Sequence, residues 1–262
     1  MTVAGLRRIA ANLEPWLLPL ALLAAWEIAS RSGRLDGKLF PSPEEVVLAA
    51  VSLVRSGELF QHVAASSARA FTGFAIGGSL GFLLGLATGW SRRAERLLDT
   101  SVQMLRNIPH LALVPLLILW FGIGEETKVL LVVLGVFFPV YVNTLLGLRS
   151  VDPRLLEIGR VYGLGGVDTF RRILFPSALP AILVGLRYAL GIMWMTLIVA
   201  ETIAANAGIG YLAMNAREFM QTDVVILSIL LYALLGKAAD WTARVLERRL
   251  LGWHPGYREG ST

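Results

Sequence analysis

The chain contains no cysteine among its 262 residues, which excludes disulfide bonds and thiolate metal sites. Charged residues are also scarce, at 16% of the sequence, and lysine occurs only at positions 38, 128 and 237. Neither Gly37-Lys38 nor Gly236-Lys237 is followed by serine or threonine, so the sequence has no Walker A nucleotide-binding loop. The chain therefore does not bind ATP by that route.

Apolar residues make up 55% of the chain, and a mean hydropathy of +0.64 indicates a membrane protein, which we expect to be all-α. Six segments approach or exceed the roughly 20 apolar residues that a bilayer requires. The predicted spans run over residues 13–30, 63–90, 105–122, 128–148, 177–203 and 222–243. The third is interrupted by Pro109 and Pro115, which is typical of broken helices facing protein or water. We expect one transmembrane domain over residues 1–262.

Arginines cluster before the first span, after the second and sixth spans, and in the connection over residues 150–176. Short basic loops favour the cytoplasmic side, so both termini and this connection are predicted to be cytoplasmic. Membrane topology explains the pI near 9.9 better than nucleic-acid binding does. A cleaved signal peptide is the alternative for the first span, but Asn12, Glu14 and Pro15 precede its apolar run.

The connection between the fourth and fifth spans has the most informative pattern, E-I-G-R-V-Y-G-L-G-G-V-D-T-F-R-R-I-L-F-P over residues 157–176. Asp152 can cap a helix that has Pro153 at its first position, and Gly163 can end that helix in the left-handed conformation. Asp168 is predicted to cap a second short helix that Pro176 stops. The expected result is a short helix across the cytoplasmic end of the bundle. An ordinary connector is the alternative.

The spacing of Glu157, Gly163, Ile173 and Pro176 resembles the "EAA" loop of permease subunits in bacterial ATP-binding-cassette importers. That loop reads Glu-Ala-Ala, three residues, Gly, nine residues, Ile, two residues, Pro. Here Ile158 and Gly159 replace the alanines. The resemblance implies a coupling helix that docks in a groove of an ATPase subunit. It assigns this coupling to Glu157, Ile158, Gly159, Tyr162, Gly163, Leu164, Ile173 and Pro176.

Four further stretches narrow the resemblance to the permeases of aliphatic sulfonate importers. They are residues 106–128 (RNIPHLALVPLLILWFGIGEETK), 138–150 (FPVYVNTLLGLRS), 185–201 (GLRYALGIMWMTLIVAE) and 200–225 (AETIAANAGIGYLAMNAREFMQTDVV). The implied fold is a six-span type I importer domain in the bacterial inner membrane. The implied partners are membrane lipid, two ATPase subunits, a second permease copy, most simply as a homodimer, and a periplasmic substrate-binding protein. ATP and magnesium would bind the ATPase, leaving this chain without cofactor or catalytic residue. Taurine, nitrate or another small oxyanion is the alternative cargo.

A sulfonate stays negatively charged at physiological pH, so its route must be polar without exposing unpaired charge to lipid. A tight anion site would trap the cargo, so neutral donors and aromatic residues are expected with few arginines. The candidates are Asn107, His110, Trp120, Tyr141, Asn143, Trp194 and Thr196. Helix packing or interfacial anchoring is the alternative for each. Arg187 and Glu201 are predicted to be structural ion-pair or hydrogen-bond partners.

Glycine recurs at every fourth position of the second span, a surface that lets helices approach closely. Its members are Gly73, Gly77, Gly81, Gly85 and Gly89. Gly77-Gly78-Ser79-Leu80-Gly81 also fits the G-x-S-x-G pattern of serine hydrolases, so an intramembrane serine protease is the enzyme alternative. A nucleophile elbow requires a strand–turn–helix context, whereas this serine is predicted to lie in mid-helix.

Overall fold

A computed structural model describes residues 3–32 and 39–254, with side chains from Leu17 onward except that of Ala204. The described part consists of helices, turns and irregular connections, without a strand. The helices are α1 Val3–Arg31, α2 Pro43–Ser56, α3 Glu58–Trp90, α4 Arg92–Arg106, α5 Val114–Phe121, α6 Glu125–Arg149, α7 Pro153–Val161, α8 Gly166–Thr169, α9 Phe175–Ala204, α10 Ile209–Glu218 and α11 Thr222–Leu250. A 3₁₀ turn, His110–Leu113, precedes α5, and a π turn, Phe170–Leu174, joins α8 to α9.

Four helical segments within the described residues are long and apolar enough to span a membrane: α3, α6, residues 166–203 and α11. Helix α1 contains the predicted first span, but side chains before Leu17 lie outside the described residues. The helices extend beyond the predicted spans at several ends, since α3 begins at Glu58 and α11 continues to Leu250. The six-span count remains a prediction.

The predicted third span, residues 105–122, is not one continuous helix. Helix α4 ends at Arg106, and the chain then turns by 82° before the segment that contains α5. Pro109 lies at this break with φ −60° and ψ 110°, an extended conformation that cannot continue a helix. The two parts form either a broken span or a re-entrant segment.

The chain divides into two compact units. The first consists of residues 1–62 and 212–230. In it, α2 begins with a capping box, in which Ser42 and Glu45 each bond the other's backbone N–H. Val224 and Leu212 pack against apolar residues of α2, including Leu53.

The second unit consists of residues 63–211 and 231–262 and contains the main core. Helices α6 and α9 pack along one another, with Val136 and Val140 of α6 in the same buried cluster as Met193 and Leu197 of α9. Tyr232 of α11 joins the same cluster. The α6–α9 pair positions the connecting loop, several pathway candidates and the buried carboxylate of Glu201.

The glycine stripe of α3 lies against α6. A β-carbon added at Gly77 would come within 2.5 Å of the Val133 carbonyl oxygen, and one at Gly81 within 2.5 Å of the Phe137 carbonyl oxygen. Added β-carbons at Gly73, Gly85 and Gly89 would meet side chains of α6 at 2.5–2.7 Å. The two backbones are therefore too close for any larger residue to fit without movement.

Candidate coupling loop, pathway residues and membrane ion network

The segment between α6 and α9 begins with a capped helix. The Asp152 side chain accepts a hydrogen bond from the backbone N–H of Arg154 at 2.9 Å, and Pro153 occupies the first turn of α7. A backbone N–H at this position would have no intrahelical partner, so proline, which lacks that N–H, loses no hydrogen bond here. The N-terminal half of the predicted capping pattern is therefore present as expected from the sequence.

Helix α7 ends in a Schellman motif centred on Gly163. The Leu164 N–H donates to the Gly159 carbonyl at 2.9 Å, and the Gly163 N–H donates to the Arg160 carbonyl at 3.0 Å. Gly163 has φ +70°, the left-handed region that residues with a β-carbon rarely adopt. The predicted role of this glycine as a helix terminator agrees with its conformation.

The second half of the predicted pattern was wrong. Asp168 does not cap a helix: Gly165 is the N-cap of α8, and the Asp168 carboxylate instead pairs with Arg172 at 3.7 Å. Pro176 does not stop a helix either, because it lies in the first turn of α9. A π turn, Phe170–Leu174, directly precedes this first turn, where a proline is tolerated.

The predicted coupling residues separate into an inner and an outer face of the loop. Gly159 is buried, and an added β-carbon there would lie 2.8 Å from Ile173 Cδ1 and 3.5 Å from Leu164 Cδ1. Glu157 and Ile158 are exposed, and Tyr162 is 81% exposed. The inner residues thus fold the loop onto itself, while the outer residues present a partly apolar surface of the kind that marks protein interaction sites.

Among the predicted pathway residues, His110 and Thr196 lie together. His110 Nε2 is 3.2 Å from Thr196 Oγ1, and both contact the backbone of α6 at Gly135, where an added β-carbon would lie 2.7 Å from the threonine oxygen. The 3₁₀ turn, α6 and α9 therefore meet at one polar contact.

The other five predicted pathway residues have different local partners and exposure. The Tyr141 hydroxyl donates to Asp99 at 2.9 Å, and Asn143 donates to the Pro139 carbonyl at 2.8 Å on the side of α6 that faces Gly185. Trp194 is 5% exposed and lies in the main core. Asn107 and Trp120 are exposed. Of the seven candidates the structure thus brings His110 and Thr196 together, and the pathway role of all seven stays a prediction.

A buried ion network lies where α3 meets the ends of α6 and α9. Glu201 of α9 is 1% exposed, and its carboxylate accepts hydrogen bonds from Arg69 at 2.7 Å and from Ser66 at 2.8 Å. The Tyr232 hydroxyl and the Gly210 N–H also donate to it, at 3.0 and 2.9 Å. A carboxylate buried in this way is stabilised because every donor around it is directed at its oxygens.

Arg69 connects this carboxylate to a second one. Its guanidinium forms a bidentate pair with Glu125, which also accepts from Lys128 at 2.8 Å. Arg69 further donates to the Ala207 carbonyl at 2.6 Å and so holds the connection between α9 and α10. The expected role of Glu201 as an ion-pair partner agrees with this geometry, but sequence reasoning missed Arg69. The sequence did contain a signal, because Arg69 is a charged residue that lies six positions inside the predicted second span.

The geometry does not fit the serine protease alternative. Ser79 lies in the middle of α3, which is one uninterrupted helix over Glu58–Trp90, whereas a nucleophile elbow is a sharp turn between a strand and a helix. Among the described residues, no group of three or more histidine or acidic side chains could hold a metal ion.

Residues 77–252 match the family described as "Binding-protein-dependent transport system inner membrane component". The match covers more than half of the chain and includes the loop, the Arg187 region and α11. The chain belongs to this family. The family membership expected from the Glu157–Pro176 pattern is therefore confirmed, and the chain is an inner membrane component of a transport system.

Two relatives of this inner membrane component are named as aliphatic sulfonates transport permease proteins SsuC. The one from Escherichia coli is 61% identical over 246 residues, which cover 94% of each chain. The one from Bacillus subtilis is 45% identical over 241 residues, covering 92% of this chain and 87% of the relative. The taurine transport system permease protein TauC of Escherichia coli is 34% identical, covering 89% of this chain and 86% of the relative.

The fold of this inner membrane component is similar to a chain of the MetNI methionine ABC transporter in an inward-facing conformation. The TM-score is 0.52 at 21% identity, covering 74% of this chain and 95% of that chain. The expected fold class, an all-α importer transmembrane domain, is confirmed.

Proposed function

We propose that this chain is the permease subunit of an ATP-driven importer that moves aliphatic sulfonates across the inner membrane by alternating access. The observation that carries the proposal is the 61% identity, over 94% of both chains, to a relative named for aliphatic sulfonate transport. The 34% identity to a taurine permease favours that alternative cargo less. Nitrate and other small oxyanions have no comparable support.

ATP and magnesium would bind a separate ATPase subunit, and α7 would transmit that subunit's motion to the membrane helices. The exposed Ile158 and Tyr162 support a docking role, because a partner must cover apolar side chains that the loop leaves uncovered. The rigid ends of α7, one capped by Asp152 and the other by the Schellman motif, suit an element that must move as a unit.

The complete importer would contain two permease copies, most simply as a homodimer, two ATPase subunits, and a periplasmic protein that delivers the sulfonate. The family description supports a binding protein, since it names the transport as binding-protein-dependent. Closure of the ATPase dimer on ATP would move the docked loops and open the pathway toward the loaded binding protein.

Both termini and the α7 loop would face the cytoplasm. Because the chain has no native cysteine, single cysteines can report sidedness. In intact cells, a cysteine introduced as Asp168→Cys should resist an impermeant thiol reagent, while one introduced as Glu126→Cys should react. The reverse pattern would place the loop beyond the reach of any ATPase.

Uptake in whole cells tests the cargo. A strain that lacks this gene should stop accumulating radiolabelled hexanesulfonate and should recover when the gene is restored. Taurine and nitrate uptake, measured in the same strains, should not change. Loss of taurine or nitrate uptake with hexanesulfonate uptake intact would assign the importer to the alternative cargo.

A further inference from the structure

A cavity of about 500 Å³ lies between α9 and α11, and none of the predicted pathway residues is among its lining residues. Its polar part is formed by Arg187 and Asp240, and its apolar part includes Val184, Ile192 and Met195. This volume lies within the range of roughly 300–1,000 Å³ that is usual for small-molecule sites. The cavity therefore offers a charged end and an apolar wall to one small ligand.

Arg187 occupies an unusual position for an arginine. It lies twelve residues after the start of α9, or about 18 Å along the helix, near the middle of the membrane-spanning segment. Its side chain is 41% exposed, and the neighbouring Tyr188 is 65% exposed. Because lipid solvates a guanidinium poorly, this face must meet water or protein, and such residues mark transport pathways.

Asp240 orients the Arg187 guanidinium but does not occupy all of its N–H donors. Its Nε donates to Asp240 Oδ1 at 2.7 Å, and a terminal nitrogen lies 2.7 Å from the same oxygen. The other terminal nitrogen is 3.7 Å from Glu247, beyond hydrogen-bond distance. An arginine has five N–H donors, so several remain for a ligand that enters the cavity.

The local charge favours an anion, but only weakly. Arg187, Arg244 and Lys237 are cationic and act on Asp240, while Asp240 and Glu247 are the two anions, which leaves one net positive charge. A lone buried arginine would hold a sulfonate tightly and stop transport. Conduction needs a site that is favourable enough to enter and weak enough to leave.

We propose that this cavity is an alkanesulfonate subsite on the transport pathway, in which Arg187 donates to the sulfonate and the apolar wall holds the alkyl chain. This inference rests on the proposed function. In this proposal the sulfonate binds one arginine, whose positive charge is partly offset by the Asp240 and Glu247 carboxylates. This arginine takes the place of the neutral pathway residues expected from the sequence.

The first experiment tests the role of the Arg187 charge by comparison with Arg244, which pairs with the same residue, Asp240. Arg244 also pairs with Asp240, but it does not line the cavity, so Arg244→Gln is the matched control for Arg187→Gln. In proteoliposomes containing the complete importer and its binding protein, we expect Arg187→Gln to lower the maximal rate of hexanesulfonate uptake about tenfold, the effect of losing a charged hydrogen bond. Arg244→Gln removes the same net charge but no donor that lines the cavity, so it should lower the rate less than Arg187→Gln does.

The second experiment places a larger side chain in the cavity. An added β-carbon at Gly191, which lines the cavity, would meet nothing within 4 Å. We expect Gly191→Leu to slow hexanesulfonate uptake far more than methanesulfonate uptake, because only the longer ligand needs the apolar wall. An equal effect on both would count against the alkyl-binding wall.

A direct occupancy test uses a cysteine introduced as Met195→Cys, at an exposed residue of the cavity. The reagent 2-sulfonatoethyl methanethiosulfonate carries the proposed headgroup and should label this cysteine in the detergent-solubilised importer. Hexanesulfonate should slow the labelling, and sodium chloride at equal ionic strength should not. Labelling that hexanesulfonate leaves unchanged would contradict binding in this cavity.

The outcomes separate the inference from the proposed function. Failure of the unmodified importer to take up hexanesulfonate overturns the proposed cargo. Normal uptake by the unmodified importer, with equal rates for Arg187→Gln and Arg244→Gln, overturns the subsite alone. Should Arg187→Gln fail to insert, Gly191→Leu and the labelling of Met195→Cys decide the matter.

Discussion

Several buried polar contacts converge on Glu201. Three side chains and one backbone N–H donate to its carboxylate, so removing the carboxylate leaves several buried donors without an acceptor. A buried pair adds little stability compared with a well-packed apolar pair, but breaking it by removing one partner is costly.

The Glu201→Leu variant should therefore be strongly destabilised. We expect a loss of about 3–5 kcal/mol in the free energy of unfolding, because the buried Ser66 and Tyr232 hydroxyls lose their acceptor and Arg69 loses one of its two carboxylates. Thermal unfolding in detergent micelles measures the effect, with the exposed Glu126→Gln as the control, expected to change stability by less than about 0.5 kcal/mol. Equal unfolding midpoints for the two variants would show that the network contributes nothing to stability.

The sequence alone pointed to Glu201 but not to Ser66 or Arg69, and the reason is physical. A carboxylate in a hydrophobic run is visible in the sequence, so Glu201 was singled out. Its partners lie far away in sequence, with Ser66 and Arg69 separated from it by 135 and 132 positions. Only packing of α3 against α9 brings them together, and no local pattern encodes that contact.

At the scale of elements, the α3–α6 contact depends on which helix face each glycine occupies. Gly81 touches the α6 backbone, whereas an added β-carbon at Gly78 would lie 3.9 Å from Val136, an ordinary van der Waals distance. The two positions are three residues apart on one helix. They therefore form a matched pair for testing the close approach.

Gly81→Ala should destabilise the protein by about 1–3 kcal/mol, since the new methyl group forces two backbones apart. Gly78→Ala should be neutral or stabilising by up to about 1 kcal/mol, because alanine favours a helix more than glycine does. Unfolding midpoints in micelles distinguish the two. If Gly81→Ala were as stable as Gly78→Ala, the described contact between α3 and α6 would be wrong.

The Schellman motif at the end of α7 permits a similar test of the docking loop. Gly163→Pro removes the N–H that bonds Arg160 and forbids the positive φ, so the end of α7 should be deranged and uptake should fall sharply. Gly166→Ala is the control, because its added β-carbon meets nothing within 4 Å. Membrane insertion is measured by immunoblot of isolated membranes. Normal transport by an inserted Gly163→Pro variant would remove α7 from energy coupling.

The sequence predicted where α7 begins and ends better than it predicted how the chain continues through Pro176. Asp152, Pro153 and Gly163 act through bonds to their near neighbours, so their roles follow from local sequence. Pro176 was misread because a proline normally ends a helix, whereas here it follows a π turn and begins α9. Phe170 of that turn packs against Trp90, with ring centroids 4.5 Å apart. Local rules do not anticipate such a tertiary contact.

At the scale of the whole molecule, α6 and α9 connect the docking loop to the buried ion network. Arg149 and Phe175 lie at the loop ends of these helices, while Glu125 and Glu201 lie at the opposite ends. Helix α6 alone is about 37 Å long. Because the two helices share one tightly packed core, we expect a displacement of α7 to move them together and to reach the network.

ATP-dependent uptake by a defined importer tests the central claim most directly. This chain, its ATPase and its binding protein would be reconstituted in proteoliposomes with ATP on the ATPase side and radiolabelled hexanesulfonate with the binding protein on the other. The account predicts accumulation that requires ATP hydrolysis, that excess unlabelled alkanesulfonates abolish, and that taurine and nitrate leave unchanged. ATP-dependent accumulation of taurine or nitrate without hexanesulfonate accumulation would contradict it.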